Sequence, residues 1–346
     1  MPGHRVSGNL VQHRRVAKLL LCLMVMIILP ASLEIGSYLF GSFPFAADPL
    51  IADYHPQWSE LRVYDPLLFW GLQPGLKLEN IVTNGLGLRC PEIPVEKNGE
   101  FRILSLGEST TFGDRIRYEE CYSARLEKAL GQFRGKPLRV INAGVPGYSL
   151  FQGYIYLKSR GLELEPDGVL LYFGINDFLP VTYLAERDAM AQSSTVGLND
   201  WELFWRRESF LHKVTSWISQ HSNLVRGIRS LLHREIQPSM LRQAEGRVRV
   251  PPEHRIELLK RIAGLCRERG IPLIIIVPWY REFFMHGPLL REFAAEHGLP
   301  LVDLPEELAD LTEATSNYFI DPMHPNAAGH GLIAEAIQAA IEKFWQ

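Results

Sequence analysis

The 346-residue sequence predicts an α/β protein built on a parallel sheet covered on both faces, and three observations predict it. From Phe101 onward, short β-rich apolar runs alternate with segments of helical spacing, the pattern of successive strand–helix units. The strand candidates are apolar without a polar alternation, as in "LIIIV", which suits strands buried on both faces. Polar and glycine-rich clusters follow the runs at their C-terminal ends, where an open parallel sheet binds its ligands.

The elements can be justified in order. "FRILSLG" is the first strand and "YSARLEKALGQF" the helix after it. "LRVINAG" is the second strand, followed by a helix over "LFQGYIYLKSRGLEL". "DGVLLYFG" is the third strand. The helix "EHRIELLKRIAGLCRERG" places Ile256, Leu259, Ile262 and Cys266 at helical spacing, and "IPLIIIVP" is the fourth strand. "LLREFAAEHG" is a helix, "LPLVDLP" a fifth strand, and the last helix, "NAAGHGLIAEAIQAAIEKFW", opens on Asn326, a good N-cap. Between the third strand and the fourth-strand helix, about residues 180–250 are too long for a connecting loop. Their aromatic and basic stretch has helical periodicity. It reads as an inserted helical subdomain with solvated arginines, or as a lid over a site that touches an anionic substrate or a membrane surface.

Upstream, residues 41–100 are rich in proline and glycine, as in "YDPLLFWGLQPG", and read as short strands and turns forming a membrane-proximal extension. Trp58, Phe69 and Trp70 there read as packing residues. Residues 1–40 read as a cytoplasmic tail and a transmembrane anchor. Arg5, His13, Arg14, Arg15 and Lys18 precede "LLLCLMVMIILPASLEIGSYLF", and a span from about residue 17 to about residue 39 reaches the roughly 20 residues a bilayer requires. The flanking cations place the N-terminus in the cytoplasm and the rest of the chain in a periplasmic or extracellular compartment. A cleaved signal peptide is the rival reading, although no A-x-A site is evident. A buried N-terminal helix is the plainest alternative.

Composition narrows the classes further. A formal net charge of -3 gives no support for nucleic-acid binding. Four cysteines in a chain of this length are not a disulfide framework. Cys22 lies in the apolar segment, and Cys90, Cys121 and Cys266 show no zinc spacing. An oxidising compartment would permit one disulfide, whose pairing the spacing does not give. No carboxylate and histidine cluster has metal-ligand spacing, and no cofactor is implied.

The residues able to carry chemistry fall on one sheet edge. Ser109 follows strand one, Gly144 and Gly147 strand two, Asn176 and Asp177 strand three, and Asp321 and His324 strand five. Taken singly, each has a bland reading: a helix cap, turn glycines, a polar strand end, a Pro-bounded turn. His212, His233 and His330 read as surface or structural. Together, the types suit acyl transfer. A serine hydroxyl needs a base, His324 can be that base, and Asp321 can hold its tautomer. The Ser109 and Gly147 N–H groups and the Asn176 amide can face an oxyanion.

The blocks "LGES", "NAGVPG", "GIND" and "DPMH" stand in the order found in the SGNH hydrolases, which include the GDSL lipases and esterases, and the chain resembles that family from about residue 101 to its C-terminus. The resemblance implies a three-layer α/β/α sandwich with a five-stranded parallel sheet in flavodoxin-like order. It implies Ser109 as nucleophile, His324 and Asp321 as base and orienter, and Gly147 and Asn176 completing the oxyanion hole. Glu108 replaces the usual Asp before the serine, and the long insertion lies outside the compact family core. Three functions are expected in order. The first is a serine esterase removing acetyl or another short acyl group from an extracytoplasmic carbohydrate. The second is an O-acyltransferase using the same acyl-enzyme, compatible with an acyl-donor membrane partner. The third is a non-catalytic carbohydrate-binding or assembly protein, against which the intact set Ser109, Asp321 and His324 argues.

Overall fold

A computed structural model describes residues 28, 32, 58–65, 67–94, 96–181, 198–208, 246–281 and 287–345. The expected membrane anchor, apart from Ile28 and Ser32, and most of the expected insertion lie outside the described residues, as do His212 and His233. Among the described residues no helix is long and apolar enough to cross a membrane.

A single helical turn over Trp58–Leu61 leads into an antiparallel hairpin, β1 (Arg62–Asp65) and β2 (Phe69–Leu72). There follow β3 (Phe101–Gly107), the one-turn helix α1 (Ser109–Phe112), α2 (Tyr122–Leu130), β4 (Gln132–Phe133), β5 (Lys136–Gly144) and α3 (Leu150–Ser159). Next come β6 (Gly168–Tyr172), the short α4 (Ile175–Phe178), α5 (Asp200–Glu208), α6 (Pro252–Glu268) and β7 (Leu273–Val277). The chain ends with α7 (Gly287–His297), β8 (Leu301–Asp303), α8 (Leu304–Glu307), a 3-10 stretch over Ala309–Tyr318 and α9 (Ala327–Phe344).

The main sheet has the order β4-β5-β3-β6-β7-β8. Its five longer strands are parallel, and in chain order they run second, first, third, fourth, fifth, the flavodoxin-like order expected. The expectation of a purely parallel five-stranded sheet needs correction. The sheet has six strands and is mixed, because β4 pairs antiparallel with β5 across the turn at Arg134 and Gly135, both at positive φ. A two-residue strand is too short to leave a periodic signal in the sequence.

Alternate residues of each central strand enter opposite cores, the two-residue period of extended chain. Leu104, Leu106, Val169, Leu171, Leu273 and Ile275 pack toward α3, α6 and α7. Ile103, Leu170, Tyr172, Ile274 and Ile276 pack toward α2 and α9. The layers are therefore helix, sheet, helix. Asn326 caps α9 as expected, accepting from the N–H groups of Ala328 and Gly329. The stripe of α6 sits slightly round from its expected place: Leu258, Leu259, Ile262, Ala263 and Cys266 are buried, while Ile256 is exposed.

The region expected as a membrane-proximal extension is part of the domain where it is described. Leu61, Leu68, Phe69, Trp70, Leu72, Ile81 and Leu88 join the first core. Tyr148 Oη donates to Trp70 O at 2.6 Å and Gln152 Nε2 to Leu68 O at 2.6 Å, which tie the hairpin to the turn after β5 and to α3.

Close approach of backbone explains one glycine. Gly144 stands opposite Gly107 across β5 and β3, and a Cβ added there would lie 2.2 Å from Phe112 N, in the backbone of α1. Gly144→Ala is expected to push α1 off the sheet and to cost about 1–3 kcal/mol of stability by overpacking, measured by denaturant unfolding. An unchanged unfolding midpoint would show that α1 yields freely.

Candidate active site

Strand β3 ends at Gly107, and the chain turns at once into α1, so Ser109 is the first helical residue. A first-turn N–H has no partner inside its helix, and the Ser109 N–H has none elsewhere among the described residues. The Ser109 side chain is only slightly exposed. On the far side of the sheet, the segment after the 3-10 stretch is pinned before it reaches the site. Phe319 and Pro325 form an antiparallel bridge, Ile320 N donates to His324 O at 2.8 Å, and Phe319 packs edge-on against Trp279.

This segment carries His324 to the serine. His324 Nε2 lies 2.9 Å from Ser109 Oγ, and His324 Nδ1 lies 2.8 Å from Asp321 Oδ2 and 3.0 Å from Asp321 Oδ1. Asp321 Oδ1 also accepts from the N–H groups of Met323 and His324, both at 2.8 Å. Partial burial alone would raise the Asp321 pKa. The donors from His324 and Met323 outweigh it and hold the carboxyl well below the usual carboxylate range. An ionised Asp321 can only accept, so Nδ1 carries the ring proton and Nε2 presents its lone pair to the serine hydroxyl. The three residues singled out in the sequence are thus in one hydrogen-bonded row.

Arg115 joins that row and was not anticipated. It stands at φ 62 in the turn after α1, its guanidinium pairs with Asp321 Oδ2, and Nη2 is 3.2 Å from His324 Nδ1. With Nδ1 protonated, the guanidinium donors are directed to the carboxylate. Nothing in the local sequence marks Arg115, because its partner is 206 residues away.

Asn176 lies on α4, directly after β6. Its Nδ2 donates to Glu108 Oε2, which leaves the second amide hydrogen for another acceptor. Glu108 is fully buried and also accepts from Tyr280 Oη at 2.5 Å, while Tyr280 Oη accepts from Ile175 N at 3.0 Å. Burial pushes the Glu108 carboxyl up to about 7, against the pull of Tyr280, His324 and Asn176. Asp177 points the other way, accepting from Leu150 N at 2.8 Å at the start of α3, and burial raises it to about 7 as well. Asp177 is therefore a support for α3 behind the site. Gly147 sits three residues past β5 at φ 83, and its N–H has no partner among the described residues.

The remaining candidates are structural. His330 is buried, its Nδ1 accepts from Tyr122 N at 3.1 Å, and burial lowers it to about 3, so it is neutral. Cys90, Cys121 and Cys266 are buried free thiols, and burial pushes them up to between about 11 and about 12, which leaves them unreactive. Among the described residues no group of three or more His, Cys, Asp and Glu is placed to hold a metal.

Solved structures with similarity to the chain include LAE5, an α/β hydrolase enzyme from the metagenome of Lake Arreo, Spain. It is 20% identical over 70% of this chain and 95% of its own, with a TM-score of 0.45. The lipase/acylhydrolase from Enterococcus faecalis is 18% identical over 70% of this chain and 96% of its own, with a TM-score of 0.43. Axe2, an acetylxylan esterase from Geobacillus stearothermophilus, is 18% identical over 71% of this chain and 96% of its own, with a TM-score of 0.42. No curated protein matches the sequence. The profile of the GDSL-like Lipase/Acylhydrolase family matches residues 105–332, which hold Ser109, Gly147, Asn176, Asp321 and His324. The chain belongs to the GDSL-like lipase/acylhydrolase family and is an ester-hydrolysing enzyme.

Proposed function

We propose that the protein is a serine esterase that works through an acyl-enzyme on Ser109 and removes acetyl or other short acyl groups from a carbohydrate. The observation that carries the mechanism is the row Ser109 Oγ, His324 Nε2, His324 Nδ1, Asp321 Oδ2, with links of 2.9 and 2.8 Å. His324 takes the serine proton as Oγ attacks the ester carbonyl. Asp321, held ionised, orients the ring and stabilises the imidazolium. Collapse of the tetrahedral intermediate breaks the ester C–O bond, and the imidazolium returns its proton to the leaving alcohol. Water, deprotonated by His324, then releases the acid and restores Ser109. The oxyanion of both intermediates faces the Ser109 N–H, the Gly147 N–H and the free hydrogen of the Asn176 amide. Glu108 fixes that amide by accepting its other hydrogen.

The extracytoplasmic location rests on the N-terminal segment, about residues 17–39, taken as an anchor, and the carbohydrate class rests on analogy with anchored members of the family. Transfer to a sugar hydroxyl would differ only in the group that resolves the acyl-enzyme.

A fluorophosphonate probe is expected to label the protein, and Ser109→Ala to abolish labelling and to lower kcat by about 10⁴-fold or more. Continued labelling of that variant would remove Ser109 from the mechanism. In the same assay, sugar acceptors added during turnover of p-nitrophenyl acetate are expected to leave free acetate as the product. Acetylated sugar would instead support transfer. Asn176→Ala is expected to lower kcat by about 10²–10³-fold, the usual effect of one oxyanion donor. KM is expected to move little, because the charge appears only in the transition state.

Buried carboxyls make stability pH-dependent. Glu108 and Asp177 are both raised to about 7 in the fold. Their contribution is fully present below their unfolded values, near about 4, and is lost as pH rises through about 7. Asp321 has the opposite sign, and its contribution is lost only in acid. Tm is therefore expected to be higher near about pH 5.5 than near about pH 8, with Glu108→Gln reducing the difference. A Tm that is flat between those pH values would contradict the assignment of neutral buried carboxyls.

A further inference from the structure

The oxyanion donor at Gly147 is gripped by residues that lie outside the family-matched region. The Gly147 N–H belongs to the peptide whose carbonyl is that of Pro146. A trans peptide points its C=O and N–H in opposite directions, so whatever holds the carbonyl aims the N–H. Two side chains of the β1–β2 hairpin hold it. Arg62 Nη2 donates to Pro146 O at 3.1 Å and Trp70 Nε1 donates to it at 3.3 Å. Both residues precede residue 105, where the family match begins.

The grip is itself fixed. The Arg62 guanidinium lies 4.8 Å over the Trp70 ring, and the Trp70 ring packs edge-on against Tyr148, whose hydroxyl donates to Trp70 O. On the other side, Gly147 O accepts from Arg249 Nη1 at 2.7 Å, so both peptides flanking the Gly147 Cα are tethered. Gly147 is at φ 83, and a Cβ there would come within 3.2 Å of Arg62 Nη2 and 3.3 Å of Trp70 Cζ2. A side chain at this positive φ would be strained and would press the hairpin aside by a few tenths of an ångström.

We propose that Arg62 and Trp70 are positioning residues for the esterase reaction, which aim the Gly147 N–H at the oxyanion and, through the cation on the carbonyl oxygen, strengthen it as a donor. The proposal rests on the oxyanion role given to Gly147 above. A preorganised donor acts only on the charge that develops in the transition state. Loss of either grip therefore lowers kcat and the affinity for a tetrahedral serine adduct together, and leaves KM in place.

The test uses the full chain with four variants. Trp70→Phe keeps the ring and removes its donor. Arg62→Met removes the cation, and Arg62→Lys restores it. Arg160→Gln breaks the ion pair between Arg160 and Asp65, which ties the same hairpin to the end of α3 without touching Pro146. Kinetics with p-nitrophenyl acetate, Ki for benzeneboronic acid and Tm are measured on each. Trp70→Phe and Arg62→Met are expected to lower kcat about ten-fold, less than outright loss of an oxyanion donor, with KM within about two-fold and the boronate Ki raised in proportion. Arg62→Lys is expected to recover part of kcat, and Arg160→Gln to lower Tm with kcat and Ki held. Should Trp70→Phe fail to fold, the two Arg62 variants and Arg160→Gln decide the matter. Unchanged kcat and Ki in the folded variants would overturn the proposal, as would an Arg160→Gln variant that loses kcat and boronate affinity equally. Either result beside an inactive Ser109→Ala leaves the esterase reading standing, whereas an active Ser109→Ala sinks that reading first.

Discussion

Gly107 and Gly144 face each other at the ends of β3 and β5, and the space their missing side chains leave is filled by the backbone and Thr111 of α1. This close approach is the constraint on which the site depends. It lets the chain leave β3 and enter a helix within two residues, which puts Ser109 at a helix start with an N–H that has no partner among the described residues. It also brings the turn after β5, which carries Gly147, beside that helix. Parallel pairing supplies the rest, since β6 and the chain beyond β8 deliver Asn176 and His324 to the same edge.

Around this edge the protein buries several ionisable groups, and each is matched. Glu108 accepts from Asn176 and Tyr280, and Asp177 from Leu150 N. Arg249 and Asp200 form a fully buried pair that also engages Ser149, Gln152 and Gly147 O. A buried pair of this kind adds little net stability once desolvation is counted, yet removing one partner strands the other. Its effect here is geometric. Asp200 at the start of α5 and Arg249 just before α6 stand 49 residues apart within the long segment between β6 and α6, and their pairing seats these two parts of it against the glycine turn. The hairpin residues Arg62 and Trp70 reach the same turn from the N-terminal side. The glycine turn is thus held from three directions by parts of the chain that the alternating strand–helix pattern does not contain.

The legible part of the site was large. Ser109, Asn176, Asp321 and His324 could be named because a parallel sheet gathers the residues that follow its strands, so their place in the sequence already implied a common edge. Asn326 and the apolar strands were readable for local reasons, capping chemistry and uninterrupted hydrophobicity. Arg115, Tyr280, Arg62 and Trp70 were not readable as site residues. An exposed arginine in a turn and aromatics among prolines have ordinary roles in most sequences. What distinguishes these four is a partner 76 to 206 residues away. β4 escaped for a different reason, being two residues long.

The sequence by itself determined the α/β class, the alternation of strands and helices and which polar residues stand just beyond the strands, since these depend on residue type and local period. The tertiary structure alone decided the mixed edge of the sheet, the docking of the N-terminal hairpin into the core and the clamp on the Pro146–Gly147 peptide. Those features rest on distance and direction between remote segments, which only packing of the whole chain establishes.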